Sequence, residues 1–500
     1  MFKMGSPTYK PFPNNTIYNV YAECDKDGYA DLTSRPFLDD EGERNDKEID
    51  CVITIVSPED YFQSSGTIHI IGYGSRLYKK LSWTLKFGNK NKFLGRKAVK
   101  MRAMASDPSL IREKLTAEIY KAVGIPVQEG TFARFFINGD NYGLYLMNDN
   151  LNARWIGAYV HGNEEGEIGA AYQLDSSHPD GPFADLRYLG EDYLAYSSEG
   201  TYRLGEYNKK LLQNGGQAGA WKPLIDFIKL YQNWVKTYKV DHSDNAIDAL
   251  LQFFNLESML RLLAVESLIL AVDNFWLVMS NSDLYYNPER KNYQILPFDF
   301  DQVMYGSKGN ILIDPENYVS DCLNWVNYDE KTFEHYFTNN LMSHPQVKER
   351  YDIILAKISH EIFTVDKISK YVEAVSNLIR EDVQWNFDLV EKLSIPYDGI
   401  VKHYTMEDFE KNLIISDQSK LLEEDDEFSS FYDLMDWVEI RGDYCRAYTS
   451  NVNTTNNTNI SDNAEIEVSG VASISSGISF SVNRIILSFI FTMLIFFFFL

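Results

Sequence analysis

Three short runs rich in β-branched and aromatic residues, CVITIV, GTIHIIGY and LSWTLKFG, are separated by turn signals and predict strands from about Cys51 onward. Between Ser109 and Val123 the spacing lengthens: Leu110, Leu115, Ile119 and Val123 line one helical face, behind an Asp or Ser cap in SDPSLIREKL. TFARFFINGDNYGLYLMND then reads as a hairpin that turns at Asn138-Gly139-Asp140. After Pro223 the pattern becomes helical, through LIDFIKLYQNWVKTY, the run from Ala246 to Val272, HYFTNNLMSHPQVKERYDIILAKI and the run from Val365 to Leu393. One hairpin interrupts it, with strands Leu284 to Tyr286 and Tyr293 to Leu296 and a turn over Asn287-Pro288-Glu289-Arg290-Lys291.

These elements predict an α+β chain. Residues 1–49 read as an N-terminal extension, 50–155 as a β-rich lobe with one helix, and 156–222, rich in Gly, Asp and Tyr, as an insertion over a cleft. Residues 223–448 read as a helical lobe carrying the hairpin, 449–484 as a disordered Asn/Thr/Ser-rich stalk, and 485–500 as an apolar tail.

The hairpin is where chemistry concentrates. Asp273 and Asn281 precede it and Asp299 and Asp301 follow it. Magnesium takes oxygen ligands, and a hydroxyl nucleophile needs a carboxylate beside it, so this order is that of a protein-kinase catalytic loop and metal site. Asp301 lies two residues beyond Asp299, so it is either a second ligand or a support for the loop.

A net charge of −25 and a pI near 4.8 repel phosphate backbones and exclude nucleic acid as a partner of the whole chain. Against that background the stretch from Arg76 to Lys114 holds twelve basic residues and only Asp107 and Glu113 as acids. It reads either as a solvated face or as a lobe that holds phosphate. The four cysteines, Cys24, Cys51, Cys322 and Cys445, fit two disulfides or four buried thiols and show no metal-ligand spacing.

The last sixteen residues, Ile485 to Leu500, carry no charge. Small residues upstream at Ser469, Ser473, Ser475 and Gly477, a polar spacer and this tail form the signal for a glycosylphosphatidylinositol anchor at the cell surface. The rival is a tail-anchored membrane protein. Sequons at Asn14, Asn453, Asn456 and Asn459 favour the secretory route. The first twenty residues hold no apolar stretch that would enter it, so the anchored reading expects a leader upstream of Met1.

IHIIGYGS, FLGRKAVKMRAMASDPSLIREKL, VGIPVQEGTFARFFINGDNYGLYLM, DNFW and PFDFD together resemble the CotH kinase family, atypical kinases named after a bacterial spore-coat protein, and above all its fungal members of the Mucorales. The resemblance covers roughly residues 50 to 400. It implies a bilobal protein-kinase-like fold and, in active members, transfer of phosphate from ATP to protein Ser or Thr, with Mg²⁺ or Mn²⁺. On that resemblance Asp273 is the catalytic carboxylate, and Asn281, Asp299 and Asp301 are the metal ligands. A lysine must then meet the phosphates and a carboxylate must hold it. Lys100 with Glu113 is the favoured pair, Lys86 the fallback lysine and Glu118 the alternative acid. Arg102 and Arg112 are further candidates for phosphate, the Arg of DPSLIREK being equally suited to bind a helix cap, and Gly72 and Gly74 let backbone N–H groups approach phosphate. Ile71 stands where many members carry an Arg, which weakens that loop's grip, and Phe298 where many have Trp. Two functions remain open: an ATP-dependent kinase acting on secreted, spore-coat or cell-wall proteins, and a surface adhesin or invasin that contacts a host or cell-surface receptor with little or no kinase activity.

Overall fold

Ile49, Cys51, Ile53 and Ile55 point to one side of their strand and are buried, while Asp50 and Val52 between them are exposed. Such strict alternation lets a sheet curl around its apolar side. In the computed structural model, which describes residues 6–88, 90–176, 181–198, 200–271, 273–275, 279–304, 319–323, 335–416 and 432–455, it does. Tyr18–Cys24 (β1), Ile49–Val56 (β2), Tyr61–Ile70 (β3), Trp83–Phe87 (β4), Ala98–Arg102 (β5), Gly130–Ile137 (β6) and Asp140–Asp149 (β7) form a closed barrel in the order β1-β2-β3-β4-β5-β7-β6. Val20, Ile53, Ile68, Trp83, Leu85, Met101 and Phe135 fill it.

The chain is thus mixed α+β as expected, but its β-rich part is a closed barrel, and residues 1–49 are no mere extension. They supply β1, which closes the barrel by pairing in parallel with β6, and helix α1 (Lys26–Ser34). A disulfide joins Cys24 at the end of β1 to Cys51 on β2. The expected turn is present: Asn138 (φ 51°) and Gly139 (φ 92°) are both left-handed, as a tight hairpin between right-twisted strands requires.

Ala170–Leu174 (β8), Tyr202–Tyr207 (β9), Ser282–Asn287 (β10) and Asn292–Pro297 (β11) form a second sheet in the order β11-β10-β8-β9. Residues 156–222 were expected to be an insertion over the cleft. Instead they provide half of the sheet that carries the acidic hairpin. The expected helix after Ser109 is α2 (Arg112–Ala122), whose first N–H is accepted by Asp107 at 3.0 Å. It packs with the helices Leu256–Ile269, Pro345–Glu361 and Val365–Val390 in the largest core. A second disulfide, Cys322–Cys445, ties residues 319–323 to helix Leu434–Tyr448. Among the described residues no helix is long and apolar enough to cross a membrane. The sequons at Asn456 and Asn459, Ser469, Ser473, Ser475, Gly477 and the tail lie outside the described residues.

Buried polar pins join the barrel to the helices. Lys80, 2% exposed, donates to Ala103 O (3.0 Å), Leu144 O (2.5 Å) and Asn386 Oδ1 (2.7 Å). Arg134 on β6 holds Asp382 at 2.5 and 2.9 Å. Asn386 can come this close because position 143 is glycine: φ is +84°, and a Cβ there would stand 2.5 Å from Asn386 Oδ1. Gly143→Ala should therefore lower stability by roughly 1–3 kcal/mol in urea unfolding. Gly74→Ala, whose Cβ would meet nothing within 4 Å, should stay within about 0.5 kcal/mol of wild type. Equal effects at the two positions would contradict the packing described.

Candidate active site

The period of two on β5 turns Val99 and Met101 into the barrel and leaves Lys100 and Arg102 on its outer face, towards α2 and the hairpin. Arg102 is the hub of the site. Its Nε donates to both oxygens of Glu113, in the first turn of α2, at 3.2 Å each. Its Nη1 donates to Asp299 Oδ2 at 3.2 Å, its Nη2 lies closer still to Asp299 Oδ1, and Asp301 Oδ2 is 3.7 Å from Nη2. Burial opposes the guanidinium's charge, yet Asp299, Glu113 and Asp301 outweigh it and hold Arg102 well above its ordinary range. Asn148 on β7 donates to Glu113 at 3.3 Å. Burial still raises the Glu113 carboxyl above its usual range.

The favoured Lys100–Glu113 pair is therefore corrected: Arg102 holds Glu113. Lys100 forms no ion pair or hydrogen bond among the described residues. Burial lowers its pKa and the neighbouring Arg102 adds to this, while Asp299, Glu113 and Asp283 act the other way. The fallback Lys86 is engaged elsewhere, in a half-exposed ion pair with Glu48. Glu118 pairs with Lys121 at 3.3 Å, outside this cluster. Arg112 is buried in a pin of its own, on Asp107 Oδ1 (2.7 Å), Asn412 Oδ1 (2.8 Å) and Tyr432 O (3.0 Å), so it is not a phosphate contact. The basic stretch is not one solvated face: Lys79, Lys86, Lys90, Lys92, Lys97 and Lys100 are partly or fully exposed, and the other six are interior. Arg76, Lys80, Arg96, Arg102, Arg112 and Lys114 are all buried.

The acidic residues do converge. Helix Leu256–Ile269 ends in Leu270 with left-handed backbone, and Asp273 follows. Asn281 Nδ2 donates to Asp273 O (3.2 Å) and to Asp273 Oδ2 (3.0 Å). Asp273 Oδ1 is buried with no hydrogen-bond partner. Burial, then Asp301 and Asp299, raise the Asp273 carboxyl well above the carboxylate range. Burial and Asp299 likewise push Asp301 up to about 7. Like charges held together in this way call for a cation, and four oxygen-bearing side chains are the donor set that Mg²⁺ takes. Among the described residues, however, no three acidic, His or Cys side chains are closed around a metal-sized position. Arg102 occupies Asp299 instead.

The glycine loop is built for another partner. Gly72 has φ +80°, and its carbonyl accepts from Arg76 Nε at 2.7 Å. Arg76 also holds Ile70 O, Pro36 O and Asn45 O. Gly74 opens the 3₁₀ turn Gly74–Leu77. What this loop sends towards the acids is Tyr78, whose hydroxyl is raised by burial and then by Asp301. The sequence reading also missed Asp283, a buried carboxyl on β10 pushed up to about 7 by burial and opposed by Lys100. Its signal was an acid directly before the apolar and aromatic run Leu284-Tyr285-Tyr286. Asn14 and Asn453 are exposed, and Asn453 Oδ1 accepts from Thr455 N (3.0 Å) and Thr455 Oγ1 (2.7 Å).

Invasin CotH2 of Rhizopus delemar is 28% identical over 316 residues, which cover 62% of this chain and 48% of that protein. Spore coat protein homolog 1 of the same organism is 23% identical over 317 residues, 63% of this chain and 46% of that protein. Inner spore coat protein H of Bacillus subtilis is 30% identical over 81 residues, 16% of this chain and 22% of that protein. The chain spans about half the length of the Rhizopus relatives it matches. The family profile described as CotH kinase protein matches residues 68–419, most of the chain and all of the site above, and the chain belongs to that family.

Proposed function

We propose that the chain is an atypical protein kinase that transfers the terminal phosphate of ATP to Ser or Thr of a secreted or surface protein. The observation that carries this reading is the Arg102 bridge, one cation that ties a barrel strand to the first turn of α2 and to the acid after the hairpin. In protein kinases a strand cation paired to a helix carboxylate, facing a metal-binding acid, sets the phosphates in place. In this reading the barrel with α2 and the sheet with its helices are the two lobes of a kinase-like fold, and the cleft between them takes the nucleotide.

Each residue of the cluster then has its own task. Asp273 holds the accepting hydroxyl and takes its proton, a task for which a raised pKa suits it. Asn281, Asp299 and Asp301 are the side chains that would hold a divalent ion, which when bound supplies positive charge against the ATP phosphates. Lys100, free of a partner among the described residues, and Arg102 are the cations for phosphate oxygens. Two disulfides suit an oxidising compartment. With the stalk, its sequons and the apolar tail they support a lipid-anchored surface protein.

The names of the relatives favour a second reading, a surface adhesin or invasin in which the same domain binds a receptor. The two separate on one variant. Asp273→Asn should reduce phosphate transfer from labelled ATP to the protein itself, or to a Ser-rich peptide, by about a hundredfold or more. Equal labelling by variant and wild type would remove the kinase reading, and cell adhesion unchanged by the variant would favour the binding one.

The raised carboxyl of Asp283 adds a pH prediction. Its folded value of about 7 lies above the ordinary 3.8, so the folded state binds more protons than the unfolded between those limits, and stability falls as pH rises through that window. Asp283→Asn should remove a few kcal/mol of this fall, making the variant the more stable at neutral pH and not in acid. Parallel stability curves from about pH 4 to 7 would show that the group is not buried as described.

A further inference from the structure

The Arg102 fork and a divalent ion compete for one carboxylate. A metal ion would take Asp299 oxygens at about 2.1 Å. Both terminal nitrogens of Arg102 already face those two oxygens, and the second reaches towards Asp301 as well. Arg102 cannot retreat far, because its Nε is held by both oxygens of Glu113, itself bonded to Asn148. Asp273 Oδ1, by contrast, is buried and has no hydrogen-bond partner. The acidic cluster thus has one oxygen ready for a cation, and a second acid that must first be released. A planar guanidinium leaves a carboxylate most readily for another bidentate oxyanion, and phosphate is such a group.

We propose, building on the kinase reading, that Arg102 is the resident cation of the acidic cluster, so that a divalent ion gains Asp299 only when a polyphosphate draws the guanidinium away. Metal and nucleotide then bind as a pair, each strengthening the other. Arg102 neutralises the acids before the ligands bind and moves its charge to the phosphates when they arrive. Thermodynamic linkage makes the effect reciprocal, with metal tightening nucleotide by the same factor as nucleotide tightens metal.

The test measures binding to the full chain by calorimetry, with Mn²⁺ alone, a non-hydrolysable ATP analogue alone in chelator, and the two together. In wild type each should tighten the other by roughly tenfold or more. Arg102→Gln should bind Mn²⁺ alone about tenfold more tightly than wild type and lose most of the coupling. Since that variant leaves Glu113 buried without its cation and can fail to fold, Asp299→Asn is the second arm. It keeps Arg102 on Glu113 but frees its terminal nitrogens, so the analogue in chelator should bind several-fold more tightly than to wild type. Mn²⁺ that binds wild type equally well with and without the analogue overturns this inference and leaves the kinase reading standing. Absence of binding in every wild-type arm overturns that reading, and the inference with it.

Discussion

A single arginine between a buried carboxylate, Glu113, and a partly exposed one, Asp299, sets the terms for the rest of this structure. Arg102, Glu113 and Asp299 come from a barrel strand, a helix and a loop that share no hydrogen-bonded ladder, and each places its charge only if its own element is in register. β5 must turn Val99 and Met101 inward for Arg102 to face out. α2 must start after Asp107 for Glu113 to fall in its first turn. Removing the guanidinium would leave Glu113, Asp299, Asp301 and Asp273 together with only Lys100 against them. A buried pair broken on one side costs several kcal/mol, because the remaining charge stays buried and unpaired.

The same logic governs the other interior cations. A chain of net charge −25 keeps Arg76, Arg96 and Arg112 inside. Each meets an acid and one or more carbonyls: Arg76 with Asp46, Arg96 with Asp149, Arg112 with Asp107. Five donors in a flat fork allow this, and the same fork explains why arginine, not lysine, stands where strand, helix and hairpin meet. Lys80, a buried lysine without a carboxylate partner, is satisfied by three oxygens instead. Half of the basic stretch in an acidic sequence is therefore interior, which composition alone does not reveal.

What local pattern could carry was legible. β-rich runs between turn signals marked β2, β3 and β4, Asn-Gly-Asp marked the β6–β7 turn, and the order Asp, Asn, hairpin, Asp marked the acids that converge. Closure of the barrel was not, since Tyr18 meets Ala133 through a parallel pairing that leaves no trace in either segment. Nor could β8 and β9 be found, because β9 pairs only with β8 among the described residues, and β8 joins the hairpin through β10, beyond the whole helical run that begins at Lys209. Lys100 and Arg102 share a face of one strand, so spacing could not choose between them. The choice depends on where α2 and Asp299 arrive in space. Asp283 went unread for a related reason: burial of an acid is a property of the folded sheet.

Backbone strain and crowded charge coincide in this site, and both need support from outside it. Leu270, Met279, Asn281, Asp299 and Met304 all have positive φ. Asn and Asp tolerate that region, whereas Leu and Met each cost roughly 1 kcal/mol there. The strained residues are held from beneath by the almost fully buried helix Leu256–Ile269, to which Met304 N donates at Ile269 O (2.6 Å) and Phe275 N at Glu266 (3.2 Å). Asn274 stitches the two loops together by donating to Phe298 O at 2.9 Å. Farther along the chain, Arg441 grips Ser267 O and Val319 O, beside the Cys322–Cys445 disulfide. The positions of the acids are therefore set by apolar burial and backbone hydrogen bonds, and Arg102 supplies the charge between them. A ligand that brings its own positive charge has no fold to rearrange, only one side chain to move.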